Sequence, residues 1–197
     1  MVNEIEIIRK DVLKFFDSNE LIPEDKSEVY SPDKRYFFRA NSYKQTDPKR
    51  NWTVAKIEIF QTGNKKLFEF IRNDDRVYYC WLDVNNTEYF ICPEDLEGQS
   101  IYDLTNSQFY SFTSQKDPFI WTEILPSPDK TKLAVIGCYW ACPYEVVVYD
   151  ISKICQLPYP VIKRKVVAME NLKDWQGNET LILETKDSES LFRIFDE

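Results

Sequence analysis

The stretch GCYWACPYE, residues 137–145, holds the chain's densest set of groups that could do chemistry: Cys138, Cys142 and Glu145 among Tyr139, Trp140 and Tyr144. Three readings compete for the two thiols. A structural zinc needs about four thiolate or imidazole ligands, yet the chain contains no histidine, and Cys80 and Cys92 lie far upstream. A redox pair usually takes the spacing CxxC at a strand-to-helix turn, which lowers a thiol pKa; the spacing here is CxxxC, with no such turn before it. The third reading, small soft cysteines packed under aromatics in a tight turn, asks for nothing further. No metal ligand set and no cofactor is expected.

The absence of histidine also removes Ser-His-Asp and Cys-His catalysis and histidine general bases. Carboxylates remain. Glu94, Asp95 and Glu145 could act as an acid/base pair, for which a separation of about 5 Å or of about 6.5–9.5 Å selects the hydrolytic geometry. With no nucleophile motif in sight, the chain leans away from being an enzyme.

Charge narrows the partners. With 25 basic and 33 acidic residues the net charge is −8, which repels a phosphate backbone on average. The local clusters Lys49-Arg50, Lys65-Lys66 and Lys163-Arg164-Lys165 are read as solvated loops or strand ends, so nucleic acid is not an expected partner. No apolar run approaches the about 18 residues of a membrane span, and MVNEIEIIRK is too acidic for a signal peptide. Asn51, Asn85 and Asn178 open N-x-[ST] triplets; without a signal peptide they are read as turn residues. The five cysteines are odd in number and not framework-spaced, which fits reduced thiols and a cytoplasmic location.

These residues are positioned by a repeat. Ser31-Pro-Asp-Lys is echoed by Ser127-Pro-Asp-Lys, with degenerate copies at Trp81-Leu-Asp-Val-Asn-Asn and Trp175-Gln-Gly-Asn. Aligned on Ser31, Asp83, Ser127 and Gln176, the copies start 44 to 52 residues apart, near the period of a propeller blade. Each has a polar tight turn, an apolar strand, a loop and a second strand: Thr53–Phe60, Ser100–Leu104, Glu145–Asp150 and Leu191–Phe195. In the first of these Ala55, Ile57 and Ile59 share one face and Lys56 and Glu58 the other, the period-two mark of a strand. Third strands are expected at Lys66–Ile71, Gln108–Phe112 and Val161–Val167. The expected fold is therefore all-β: one domain over residues 1–197, with four repeated antiparallel meanders beginning near Tyr30, Trp81, Ser127 and Trp175. It is a small β-propeller-like unit of four blades, with a β-sandwich as runner-up. The fourth blade is short of strands, so Glu4–Ile8 is the segment expected to complete it, and residues 10–19 read as a short helix.

The SPDK turns resemble those of TolB-type and dipeptidyl-peptidase-type propellers. SYKQTDPKRNWTVAKIEIF, EYFICPEDLEGQSIYDL, LPSPDKTKLAVIGCYWACPYEVVVYDIS and LPYPVI together resemble a family of small, uncharacterised, mostly bacterial propeller-like proteins. The resemblance extends to a large-DNA-virus member and implies a fold, but no activity.

In such a fold, connections of the same rank emerge at one end. The first-to-second-strand connections Asn41–Asn51, Cys92–Gln99, Cys138–Tyr144 and Lys186–Ser190 would then form a rim. It gathers Tyr43, Gln45, Arg50, Glu94, Asp95, Gln99, Trp140, Tyr144 and Glu145, with Arg50 expected to pair with one of the three carboxylates. Polar and aromatic loops on a rigid scaffold are a common way to carry a binding surface. Three functions follow. The leading one is a non-enzymatic module that captures a protein or peptide at this rim; the others are a carboxylate hydrolase or small-ligand binder there, and a structural, virion-associated role. A homodimer is compatible with all three.

Overall fold

The computed structural model describes residues 22–44, 53–72, 76–94, 98–113, 119–139, 141–168 and 170–195. Glu4–Ile8, the helix expected over residues 10–19, and Gln45, Arg50, Asn51, Asp95 and Trp140 lie outside the described residues.

In each meander a hairpin turn joins the first two strands, and in the two SPDK copies the turn's own side chains supply its hydrogen bonds. In the first, between β1 (Ile22–Tyr30) and β2 (Tyr36–Lys44), the Ser31 hydroxyl donates to Asp33 Oδ1 at 2.8 Å and accepts from the Tyr36 N–H at 3.1 Å. Asp33 Oδ1 in turn accepts from the Arg35 N–H at 3.0 Å. The second SPDK turn, between β9 (Ile120–Pro126) and β10 (Lys132–Tyr139), repeats this network with Ser127, Asp129, Thr131 and Lys132 at 2.6–3.1 Å. Lys34 and Lys130 occupy matching left-handed positions, both at φ 61°. The degenerate copies reach the same reversal through Asn85 and Asn86 at φ 51° and 62°, and through Gly177 at φ 65°. Asparagine and glycine tolerate that region best. Asn85 and Asn178 are thus turn residues, as their sequence context predicts.

Among the described residues there is no helix; fifteen strands form four antiparallel sheets. The first sheet holds β1, β2, β3 (Thr53–Gln61) and β4 (Lys65–Arg72). The second holds β5 (Cys80–Val84), β6 (Thr87–Cys92), β7 (Gln99–Asp103) and β8 (Gln108–Phe112). The third holds β9, β10, β11 (Ala141–Asp150) and β12 (Val161–Val167). The last has three strands, β13 (Asn171–Gln176), β14 (Thr180–Glu184) and β15 (Glu189–Arg193). The all-β fold of repeated meanders is therefore present. What the sequence pattern missed is the strand ahead of each turn. IPEDKSEVY and NLKDWQ carry no apolar alternation, because they gain their place by pairing with the next strand rather than by amphipathicity.

The chain divides into two compact units, Met1–Val77 and Tyr78–Glu197. In the first, Ala55, Ile57 and Ile59 are fully buried, while the opposite face of the same sheet is laced with ion pairs. Lys66 reaches Glu69 at 2.6 Å and Glu58 at 3.3 Å, and Lys56 meets Glu69 at 3.0 Å. Such exposed pairs contribute about 0–1 kcal/mol each, so the apolar face dominates the energetics.

In the second unit the β9–β12 sheet is buried on both faces. Leu133, Val135, Val147 and Tyr149 pack towards the β5–β8 sheet with Leu82, Ile91, Ile101 and Trp121. Ala134, Ile136, Val146 and Val148 pack towards β13–β15 with Leu181, Leu183 and Phe192. This double burial is why LAVI and VVV are unbroken apolar runs rather than alternating ones. The connection from Ile151 to Pro160, with a cis Leu157–Pro158 bond, is a strap that places Ile151 and Tyr159 in the first of these cores.

Because the buried Ser127 hydroxyl both donates and accepts within the turn, removing it strands the Lys132 N–H. Ser127→Ala should lower stability by about 1–3 kcal/mol in chemical denaturation. A loss below a few tenths of a kilocalorie would mean that the turn holds without its side-chain network.

Candidate functional site

The ends of the second unit are fixed by contacts between neighbouring turns. Lys130 Nζ reaches the Asp83 carbonyl, and the Asp129 N–H donates to Asn178 Oδ1 at 3.1 Å. The turns β5–β6, β9–β10 and β13–β14 therefore share one end. Since successive strands alternate in direction, the tips β6–β7, β10–β11 and β14–β15 lie at the other. That tip end carries the part of the expected rim that falls in this unit.

The opening nonapeptide is less of a loop than its composition implies. Expected as a connection from Cys138 to Tyr144, it is instead mostly ladder: β10 and β11 pair Gly137 with Glu145, Cys138 with Tyr144 and Tyr139 with Ala141. Only residue 140 lies between the two strands. The physical reason is that these residues fit a pleated, half-buried surface: Cys138 is buried opposite Tyr144, and Tyr139 packs on Phe119 beside β9. Cys138 is buried, while the side chain of Cys142 lies outside the described residues. Glycine begins the stretch for a steric reason: a Cβ at 137 would sit 2.2 Å from the Ile120 carbonyl oxygen and 2.8 Å from the Phe119 ring. The β9–β10 register shifts at this point.

Glu145 finds its partner inside its own sheet. Arg164 Nε of β12 lies 3.2 Å from Glu145 Oε2, with the Glu145 side chain 17% exposed and the Arg164 side chain 44%. Arg164 Nη2 also donates to the Tyr139 hydroxyl at 2.8 Å, and Tyr139 packs on Phe119 with ring centroids 5.1 Å apart. Tyr144, next to Glu145 in β11, is exposed on the opposite face of the sheet. Lys163-Arg164-Lys165, expected at a loop or strand end, is the middle of β12. Arg164 and Tyr139 are the site residues missed. The signal was available in the expected strand Val161–Val167, but it needs the β11–β12 register, which sets Val147 opposite Arg164 and Val166 opposite Glu145.

The other rim residues separate into groups. Glu94 is half-buried and accepts a hydrogen bond from the Ser100 hydroxyl of its own sheet. Gln99 turns inward, 7% exposed, and its Oε1 accepts the Tyr159 N–H of the strap at 2.9 Å; its role is to hold the strap. Tyr43 is half-buried on β2, opposite Val54, in the first unit. The expected pairing of Arg50 lies outside the described residues, as do Gln45, Asp95 and Trp140.

Below the strap lies a second polar cluster. Burial, with the Cys155 sulfur and Asp103 nearby, pushes the Tyr89 phenol up to about 12. Burial also raises the Cys155 thiol above its ordinary range and the fully buried Cys80 thiol far more. Thiols raised in this way are poor nucleophiles. Among the described residues no group of three or more His, Cys, Asp or Glu side chains could hold a metal ion. Among them there is also no helix long and apolar enough to cross a membrane.

One carboxylate is perturbed by its position. Glu123, on β9, accepts the Leu172 N–H at 2.7 Å and so ties the third sheet to the fourth. Burial, aided by nearby Glu184, raises its pKa despite that hydrogen bond.

No family model matches the chain. An uncharacterised protein of Acanthamoeba polyphaga mimivirus is 24% identical over 128 residues, which is 64% of this chain and 50% of that protein. The chain thus spans about half the length of the curated relative it matches. The likeness supports a link to large DNA viruses.

Two outcomes follow from the geometry. Gly137→Ala should cost about 1–3 kcal/mol through overpacking, read as a lower melting temperature; an unchanged melt would contradict the close approach at Ile120. For Glu123, a raised folded pKa means that the native state holds its proton more tightly than the unfolded chain. This contribution to stability is full below the ordinary carboxylate value of 4.5 and is lost as pH rises through the folded pKa. Glu123→Gln should therefore flatten the stability profile just above that value, and an unchanged pH profile would show that Glu123 is not the group responsible.

Proposed function

We propose that the chain is a non-enzymatic interaction module that captures a protein or peptide partner on the tip end of its sheets. The observation that carries this reading is the β10–β11 tip, which exposes Tyr144 on one face and sets the Tyr139–Arg164–Glu145 group on the other. An aromatic and an arginine held on paired strands form a preorganised patch, and tyrosine and arginine are the residue types that dominate binding energy at interfaces. The carboxylates expected to do acid/base work are engaged in the fold instead, Glu94 by Ser100 and Glu145 by Arg164. The thiols of Cys80, Cys138 and Cys155 support a reducing, cytoplasmic setting, and the viral likeness supports the cytoplasm of an infected host.

The test is a peptide-display selection on the purified chain, followed by fluorescence polarisation with an enriched peptide. Tyr144→Ala should weaken binding by about tenfold or more, or 1.4 kcal/mol, while leaving the melting temperature unchanged. A selection that enriches nothing, or peptides that bind Tyr144→Ala as well as the parent, would overturn the reading.

A further inference from the structure

The outer face of the last sheet carries a pattern that is complementary to itself. Leu181, Leu183, Phe192 and Ile194 point into the core shared with the β9–β12 sheet. Side chains alternate along a strand, so Thr180, Ile182 and Glu184 of β14 share the opposite face with Glu189, Leu191 and Arg193 of β15. The ladder sets Ile182 beside Leu191, Thr180 beside Arg193 and Glu184 beside Glu189. Leu191 is 55% exposed and Ile182 half-buried, and Phe195, just past the strand, is 53% exposed. Exposed apolar side chains grouped on one sheet face mark a contact surface, as scattered ones do not.

The kind of partner is written along β15. Its outward residues run Glu189, Leu191, Arg193: an anion, an apolar group and a cation at equal spacing. A two-fold axis lying across the strands at Leu191 lays one β15 antiparallel over another. Leu191 then meets Leu191, and each Glu189 meets the Arg193 of the second copy, the reciprocal contact of an isologous interface. An axis along the strands would set Glu189 against Glu189 and is disfavoured. Glu189 also holds Lys173 within its own chain, and Arg193 is engaged there as well. Both residues are exposed, and exposed ion pairs are weak enough to exchange partners on docking.

We infer that the outer face of β13–β15 is a self-association surface that takes a second copy of the chain. Three short strands, at about 3.3 Å per residue and about 4.8 Å between strands, present roughly a few hundred Å². That is below the roughly 800 Å² per partner of a standard interface. The net charge of −8 on each copy opposes the contact, and Asp174, opposite Ile182 in the ladder, would face its own copy across the axis. The dimer is therefore weak and forms only as concentration rises. It is separate from the capture of a partner at the tip end.

Sedimentation velocity of the full chain from about 1 μM to about 1 mM should show a monomer moving towards a dimer. Leu191→Arg should abolish that shift and leave the melting temperature at low concentration unchanged. Glu189→Arg or Arg193→Glu alone should weaken association by about tenfold or more, and the two together should restore it. Within one chain these residues stand about 13 Å apart, four steps along a strand, so the rescue requires a second copy. No concentration dependence, or single and double charge variants that associate alike, would overturn the proposal. A strictly monomeric chain whose melting temperature falls with Leu191→Arg would overturn it too, since the face would then be covered from within its own chain. Tyr144→Ala should leave association unchanged; a loss there would move the contact to the tip end and count against this face.

Discussion

The second unit depends on one constraint: the β9–β12 sheet has no wet face across its middle strands. Leu133 to Ile136 and Val146 to Val148 point alternately into two different cores, each at most 2% exposed. Burying a side chain of this size contributes about 1.5–3 kcal/mol, so these few positions outweigh all the surface ion pairs together. Register follows from the same fact. A slip by one residue would exchange the two sets of side chains between cores of different shape, and the Ile120 carbonyl and Phe119 ring leave no space for a larger residue at Gly137.

That middle sheet was legible because its chemistry is local and extreme. SPDK turns, unbroken apolar runs and the strand Val161–Val167 can be read without knowing any partner. The turn networks of Ser31 and Ser127 are written in the residues that form them. The strands ahead of the turns were not legible, since IPEDKSEVY and NLKDWQ are ordered by backbone pairing to neighbours that the local pattern does not identify. The same limit explains the nonapeptide. Cysteines, aromatics and a proline look like a loop by type, while the ladder from Gly137–Glu145 to Tyr139–Ala141 is set by long β-strands on either side.

The site was half legible for a related reason. Tyr144 and Glu145 stand out by type, and their place at a strand tip follows from the repeat. Gln99 also stands out by type, but its amide is spent inside, where the Tyr159 N–H would otherwise lack an acceptor. Arg164 was visible only as one cation of three, because its meaning lies in the cross-strand diagonal to Glu145 rather than in its sequence neighbours.

The links between successive sheets also set how the unit comes apart. Lys130 joins the second and third sheets, while Asp129 and Glu123 join the third and fourth, and each core cluster spans one neighbouring pair. Cohesion in such an array is a chain of nearest-neighbour terms, as in repeat proteins. Opening then proceeds from the flanks inward. The three-stranded β13–β15 sheet can detach while the first core persists, whereas loss of β9–β12 dissolves both cores at once. The Tyr139–Arg164–Glu145 group is thus mounted on the element that yields last, so its geometry persists through partial unfolding of the neighbouring sheets.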